Sequence, residues 1–250
     1  MAAGGGLTGP ELRDLLSIGI SGVALVAAVI ANVSGSVAKA GEDRRQARDR
    51  VNDLCVRIAE LNTTIQVYRV EQEGAEGLNV YNTKVNSLVR QVVALATLGR
   101  DILAQSRIKA AAVEYALLAD AIALSGDPEA EQLWEKAISS ARTAHDRVDL
   151  QQRFAEFLFN IGKFERGEAA YAEARRILGP EASAYNLGRN QQLLATSNAN
   201  AGRADAARAQ FDEARRLYEA IPEGPTRIYT LNTLAEVRRR ALGEPPPQTA

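Results

Sequence analysis

NIGKFERGEAAYAEARRI, residues 160–177, is the stretch that decides the fold, because the chain repeats it forty residues later as NAGRADAARAQFDEARRL, residues 200–217. Both copies contain N-x-G-[KR], a small residue five positions after the glycine, an aromatic residue four positions later, and then E-A-R-R. A third and weaker copy lies earlier and contains Ala130, Trp134 and Ala137. Repeats of this period are typical of stacked helical hairpins.

The copies resemble the tetratricopeptide repeat (TPR) family, whose second helix buries a small residue, an aromatic residue four positions later and a small residue three positions after that. Gly167, Tyr171 and Ala174 occupy these positions here. The resemblance covers about residues 107–242, with a longer period than the family's 34 residues and without its usual aromatic pair in the first helix. It implies first helices at about 107–125, 146–161 and 183–201, and a closing helix from Thr226 to Leu242 with Leu231, Leu234 and Ala235 inward.

The composition favours helix almost throughout, since alanine is abundant and aromatic residues make up only 5% of the chain. We therefore expect an all-α protein with a single N-terminal transmembrane helix, a helical hairpin or short coiled coil, and then a TPR-like α-solenoid. The expected boundaries are a polar segment at 1–14, a transmembrane helix at 15–34, the hairpin or coiled-coil segment at 42–104, the repeats at 105–243 and a disordered tail at 244–250.

The segment Leu15–Val33 carries no formal charge. As a helix it would span roughly 28 Å, close to the thickness of a bilayer core. This predicts a retained membrane anchor; a cleaved signal peptide is the alternative, because Ala38-Lys39-Ala40 offers an A-x-A pattern. Lysine and arginine concentrate on the C-terminal side, which predicts an inner (plasma) membrane protein with its N-terminus outside and its C-terminal domain in the cytoplasm. The excess of arginine over lysine suggests a bacterial source.

Two apolar seams with alternating steps of three and four run over residues 51–68 and 78–95, and the glycine-containing segment 73–77 separates them. This pattern predicts an antiparallel hairpin or a stalk that pairs with a second copy. Two ordinary helices of one bundle are the alternative. Cys55 lies between seam positions and far from any histidine in sequence, so we expect a structural thiol. Small residues along the anchor also allow a homo-oligomer.

The resemblance implies that the first helices form a concave wall that binds a peptide or a helix of a partner protein. The first helix of the third copy is rich in amide side chains, which can hydrogen bond to the backbone of an extended peptide. An ordinary solvated polar face is the alternative for each of these residues. The candidate partner-binding residues are Gln152, Arg153, Glu156, Arg189, Gln192 and Asn198.

Several chemistries have no basis in the sequence. The net charge of −1 provides no global field for nucleic acid. One histidine, His145, and one cysteine cannot form the common zinc sites. The chain has no phosphate-binding G-x-x-x-x-G-K-[ST] motif, and it has no G-x-S-x-G nucleophile motif either. We therefore predict no catalytic, cofactor-binding or metal-binding residues, no cofactor, and a protein that is not an enzyme.

The expected function is that of a single-pass membrane-anchored scaffold or adaptor. Its partners would be a protein or peptide in the repeat groove and the membrane itself through residues 15–34. Two alternatives remain at this point. One is a membrane-tethered signalling or oligomerisation component that acts through its heptad segments, and the other is an exported envelope-assembly protein with a cleaved signal.

Overall fold

A computed structural model describes residues 41–68 and 78–244 of the chain, and every regular element in these ranges is an α-helix. The all-α prediction is confirmed for this part of the protein. The predicted anchor at 15–34 and the predicted tail beyond Glu244 lie outside the described residues. Within the described ranges, no helix is both long enough and apolar enough to cross a membrane.

The described part of the chain contains nine helices. They are α1 at residues 41–68, α2 at Leu78–Ser106, α3 at Ala112–Ala123, α4 at Glu129–Ser140, α5 at Ala144–Asn160, α6 at Phe164–Leu178, α7 at Ala184–Asn200, α8 at Ala204–Glu219 and α9 at Pro225–Leu242. Helices α3–α4, α5–α6 and α7–α8 pair as hairpins, and α9 follows as a single helix. We call α3, α5, α7 and α9 the first helices, and α4, α6 and α8 the second helices.

Helices α1 and α2 pack antiparallel. Near one end of the pair, Lys84 Nζ lies 5.7 Å from the centre of the Tyr68 ring. Near the other end, a β-carbon added at Gly99 would lie 3.8 Å from Leu54 and 3.0 Å from Leu118 of α3. The apolar stripes of both helices belong to the same core as the first two hairpins. The pair is therefore an integral layer of the domain.

Cys55 faces this core and is 8% exposed. Burial raises the pKa of its thiol to about 11, because the thiolate would lose its hydration in an apolar environment. The thiol is therefore protonated and a poor nucleophile at neutral pH.

Helix α3 begins later than expected. The backbone of Arg107 has a φ of +52°, which ends α2 at Ser106 and starts a turn before α3. Arg48 of α1 holds this turn, since its Nη1 donates to the Lys109 carbonyl oxygen at 2.7 Å and its Nη2 lies 3.0 Å from a Glu114 carboxylate oxygen. The expected start at residue 107 was wrong because a turn, rather than another helix, connects the two layers.

The two helices of the second hairpin, and likewise those of the third, cross at small residues. A β-carbon added at Gly167 of α6 would lie 2.5 Å from Phe159 Cδ2 and 3.2 Å from the Ala155 carbonyl oxygen. Ala155 itself is fully buried, as are Ala195 and Ala207, which hold the same positions in the next hairpin. Because no larger side chain fits there, the small residues set the distance between the helices.

Ion pairs between neighbouring hairpins explain why the fourth position of the N-x-G-[KR] motif is a lysine or an arginine. Lys163 Nζ donates to Glu131 at 2.5 Å, and Arg166 also bonds this carboxylate. In the next repeat, Arg203 Nη1 donates to Glu168 at 2.7 Å. Each turn cation therefore binds an acidic residue of the preceding second helix. The hydrogen bond from Lys163 is the main reason why the pKa of Glu131 is lowered.

The stack curves with the first helices on its inner side. Successive first helices bring Cα atoms within 8 Å of each other, along the series α3, α5, α7 and α9. Successive second helices, α4, α6 and α8, have no Cα pair this close among the described residues. An array in which one layer touches and the other is spread apart must bend toward the touching layer.

Helix α9 departs from one expectation. Leu234 is buried and Leu231 is half-buried, as expected for a closing helix, whereas Ala235 is exposed. The expectation for Ala235 was wrong because no second helix follows α9 within the described residues to cover it.

The crossing at Gly167 gives a first prediction. Replacement of Gly167 by alanine will lower the free energy of unfolding by about 1 to 2 kcal/mol, because the clash with Phe159 outweighs the gain in helix propensity. Denaturant unfolding followed by circular dichroism measures this change. The same substitution at Gly41, which is helical, exposed and without neighbours within 4 Å of the added carbon, will not destabilise the protein. Equal effects at both positions would contradict the close crossing.

The Glu131 ion pairs give a second prediction, with a defined pH dependence. The folded-state pKa of Glu131 is below the ordinary 4.5, so its contribution is present at neutral pH and is lost as pH falls below that value. We expect Glu131→Gln to lower Tm at pH 7 by about 2 to 4 °C, corresponding to about 1 kcal/mol. Near pH 2 the difference between variant and wild type will vanish. Glu181→Gln, at an exposed loop position, is the control and will change Tm at neither pH.

Candidate partner-binding groove

A groove with a volume of about 520 Å³ lies between the first helices α3 and α5, near the end of α4. Its apolar lining includes Val113 of α3, which is 69% exposed, and the buried Leu150 of α5. We call this the α3–α5 groove. Its lining residues are Ala110, Ala111, Ala112, Val113, Ser140, Arg142, Asp146, Asp149, Leu150 and Arg153.

Two charged side chains at the groove have no partner among the residues that the structure describes. Arg142 and Asp146 are exposed, and neither side chain makes an ion pair or hydrogen bond with another residue of the described chain. The backbone N–H of Asp146 donates to Thr143 Oγ1 at 3.0 Å, so α5 begins with a capped turn that fixes the backbone at this residue. An approaching ligand can therefore pair with a cation and an anion without first breaking an ion pair.

Arg153 forms a fixed part of the groove wall. Its guanidinium pairs with Asp120 of α3 and lies 5.3 Å from the centre of the Trp134 ring of α4. The ion pair and the cation–π contact together tie the first two hairpins to each other. This residue is therefore prearranged before any ligand binds.

Asp149 connects the groove to α7. One carboxylate oxygen lies 3.6 Å from Arg189 Nη1, and the other lies 3.5 Å from His145 Nε2. Both distances exceed those of a good hydrogen bond, so a ligand donor can compete for this carboxylate. Asp149 and Arg189 are forty residues apart and thus hold the same position in successive first helices.

A buried polar network lies between α5, α6 and α7. Gln152 Nε2 donates to Asn190 Oδ1 at 2.9 Å, and Asn190 Nδ2 donates to the Tyr171 carbonyl oxygen at 3.2 Å. The Tyr171 hydroxyl is 2.9 Å from Ser197 Oγ. Burial raises the pKa of Tyr171 well above its ordinary value, so the hydroxyl remains protonated. The network fixes the second hairpin against the third.

Two further amides stabilise the third hairpin. Gln192 is half-buried, and its Oε1 accepts a hydrogen bond from the Tyr218 hydroxyl at 2.9 Å. Burial raises the pKa of Tyr218 to about 12. Asn198 is 1% exposed; its Nδ2 donates to the Leu194 carbonyl oxygen at 3.1 Å, while its Oδ1 has no partner within the described residues.

The six residues expected on the binding wall thus divide into two groups. Arg153, Glu156 and Arg189 have exposed side chains on the first helices. The amides Gln152 and Asn198 are buried in the interior, and Gln192 is occupied by Tyr218. The amide-rich composition of α7 therefore reflects packing between helices at these positions, and such side chains are not free to bind a peptide backbone.

Sequence reasoning did not identify Val113, Arg142, Asp146, Asp149 or Leu150 as part of a groove. One signal was present in the sequence, since Asp149 and Arg189 have opposite charges at the repeat offset of forty. The other residues come together only because the ends of α3, α4 and α5 meet, and that meeting depends on the turns between them.

Comparison with protein-family models gives no match, and comparisons with curated proteins and with solved structures give none either. Among the residues that the structure describes, no group of three or more histidine, cysteine or acidic side chains is arranged to hold a metal ion. The lining residues of the α3–α5 groove favour contacts with apolar and charged groups of a ligand.

The buried amide pair gives a third prediction. Replacement of Asn190 by leucine will lower the free energy of unfolding by about 1 to 3 kcal/mol, because the Gln152 amide is then buried without its acceptor. The double variant Gln152→Leu/Asn190→Leu will lose less than the sum of the single variants, since neither unpaired amide remains. Asn186→Leu, at an exposed position of the same helix, is the control. Strict additivity of the two single changes would show that the amides do not interact.

Proposed function

We propose that the protein is a single-pass membrane-anchored adaptor, and that its helical-repeat domain binds a segment of a partner protein in the α3–α5 groove. One observation carries the proposal: the groove combines exposed apolar surface at Val113 with the charges of Arg142 and Asp146, whose side chains pair with no other described residue. Apolar clefts with a few fixed polar groups are the usual form of a binding site. Nothing in such a lining favours bond-breaking chemistry over binding.

The groove also suggests the chemistry of the bound segment. An apolar side chain of the partner would contact Val113 and Leu150, while acidic and basic side chains on either side of it would pair with Arg142 and Asp146. Arg153, already held by Asp120 and Trp134, would contribute a fixed polar edge. Complementary charges of this kind determine orientation and specificity more than affinity.

The hairpin arrangement supports a TPR-like solenoid as the carrier of this groove. Ala155 and Ala195 stand forty residues apart, both are fully buried, and each lies on a first helix paired with a second helix. Solenoids of this type bind ligands on the concave surface that their inner helices form. The resemblance of the sequence to TPR proteins and the curvature of the stack support the same interpretation.

The membrane part of the proposal is carried by the uncharged segment Leu15–Val33 and by the basic residues after it. The repeats would lie on the cytoplasmic side of the inner membrane. A tag at Ala250 will resist protease in intact spheroplasts and will be digested after permeabilisation. Digestion in intact spheroplasts, or a mature chain without its first forty residues, would contradict this topology.

The groove itself can be tested by site-specific photocrosslinking in the source cells. A benzoylphenylalanine at Val113 will give a discrete adduct with one partner, because this side chain is 69% exposed in the groove. Reversal of the two free charges, with Arg142→Glu and Asp146→Lys together, will reduce the adduct at least tenfold. A crosslinker at Ile161, which is 41% exposed in the turn between α5 and α6, is the control. The same adduct from both positions, unaffected by charge reversal, would refute the proposal.

A further inference from the structure

Helix α9 is a first helix, and no second helix follows it within the described residues. An offset of forty residues places α7 on α9, so that Ala195 corresponds to Ala235 and Gly188 corresponds to Ile228. The inward positions agree, because Asn190 and Thr230 occupy the same position and both are buried. The registers of α7 and α9 are thus the same, and α9 can be compared with its equivalent position by position.

The face of α7 that corresponds to the exposed face of α9 is covered by α8. A β-carbon added at Gly188 would lie 2.5 Å from the Tyr218 ring, the Tyr218 hydroxyl donates to Gln192, and Ala195 is fully buried in one core with Ala207 and Phe211 of α8. Every one of these contacts is between a first helix and the second helix that follows it.

The same positions on α9 are open. Ile228 is 62% exposed, and Asn232 and Ala235, which correspond to Gln192 and Ala195, are exposed as well. Beside them a groove of about 290 Å³ runs between α8 and α9, and its lining includes Leu231, Asn232 and Ala235. We call the stripe of Ile228, Asn232 and Ala235, with this groove, the α9 face. The small side chain of Ala235 would let another helix approach α9 closely, as Ala155 does on α5 and Ala195 does on α7.

We propose that the α9 face binds an amphipathic helix of a partner protein and thereby completes a fourth hairpin. The surface differs from the α3–α5 groove, and the proposal does not depend on the function assigned to that groove. The interface between first and second helices occurs three times in the described chain. Helix α9 continues the same register, and no helix among the described residues covers this face of it. The interface between a first helix and the following second helix therefore indicates which helix would bind the α9 face.

The pattern of the partner helix follows from the side chains that α9 presents. Ala235 requires a small residue opposite it, with an aromatic residue four positions later and a small residue three positions after that, as in α6. Ile228 occupies the position of Gly188 in α7. In α8, Tyr218 packs against Gly188, and a tyrosine at the equivalent position of the partner helix would collide with the Ile228 side chain. Helix α5 has the β-branched Val148 at this position, and its covering helix α6 ends in Leu178. The partner helix should therefore end in an aliphatic residue, as α6 does.

In a second copy of this chain, the helices α6 and α8, which carry the required pattern, do not expose it. Gly167 and Ala174 of α6 are buried, and so are Ala207 and Ala214 of α8, because these faces already pack on their own first helices. A copy could contribute one of these helices only by opening a hairpin. A separate partner with a free helix is the occupant that the interface favours.

The test uses the full chain in lipid nanodiscs and a fluorescein-labelled peptide of residues 164–178, which carries the required pattern. Fluorescence anisotropy will show saturable binding, measured up to millimolar protein because an isolated helix of this length is only partly formed. Ala235→Arg and Asn232→Arg, both at exposed positions, will each weaken binding at least tenfold. A peptide with Gly167→Leu, which has the higher helix propensity, will also bind at least tenfold more weakly.

A further variant separates this surface from the α3–α5 groove. Val113→Glu will bind the peptide as the wild type does if the α9 face is the site. Loss of binding in Val113→Glu with retention in Ala235→Arg would overturn the proposal and assign the peptide to the other groove. Absence of saturable binding would overturn it too. A wild-type dimer in sedimentation that Ala235→Arg converts to a monomer would identify a second copy as the occupant and refute a separate partner.

Discussion

The close crossing of two helices at small residues is the constraint on which the domain depends. At Gly167 there is no room for a β-carbon between α6 and the Phe159 ring, and the backbone of α5 is nearly as close. Once these two helices are fixed at this distance, Tyr171 reaches Ser197 of the next hairpin and Gln152 reaches Asn190. The spacing within one hairpin thus determines the contacts between hairpins. The curvature of the stack follows, because first helices meet and second helices do not.

Polar side chains have two distinct roles in this domain, and burial separates them. Buried amides such as Gln152 and Asn190 satisfy each other across helices, where an unpaired amide would be costly. Exposed charges such as Arg142 and Asp146 lie at a groove, where they pair with no other described residue and water can solvate them. The first kind specifies which hairpins stack. The second kind is available for recognition, and for this reason the groove and not the amide-rich helix is the better candidate site.

The repeated residues of the sequence predicted the second helices. The turns and the contacts between helices that are distant in sequence were not predictable in this way. The second helices followed from the forty-residue copy, because the small and aromatic positions are direct consequences of helix crossing. The start of α3 did not follow, since the turn at Arg107 depends on a left-handed backbone conformation that no periodicity reveals. The burial of Gln152 depends on an acceptor thirty-eight residues away in another helix. The groove at Val113 depends on where three helix ends come together, which only the folded chain determines.

The ion pairs from Lys163 to Glu131 and from Arg203 to Glu168 join only adjacent hairpins. In an array held by nearest-neighbour contacts, each interior hairpin is supported on two sides and a terminal element on one, so unfolding begins by fraying at the ends. Helix α9 packs only on α7 and α8 among the described helices, and it is therefore an element at which opening can begin. Anything that binds α9 suppresses this fraying, and the bound helix shifts the opening equilibrium of the third hairpin as well. Binding at α9 would thus stabilise the neighbouring third hairpin against local unfolding, without any change in the folded structure.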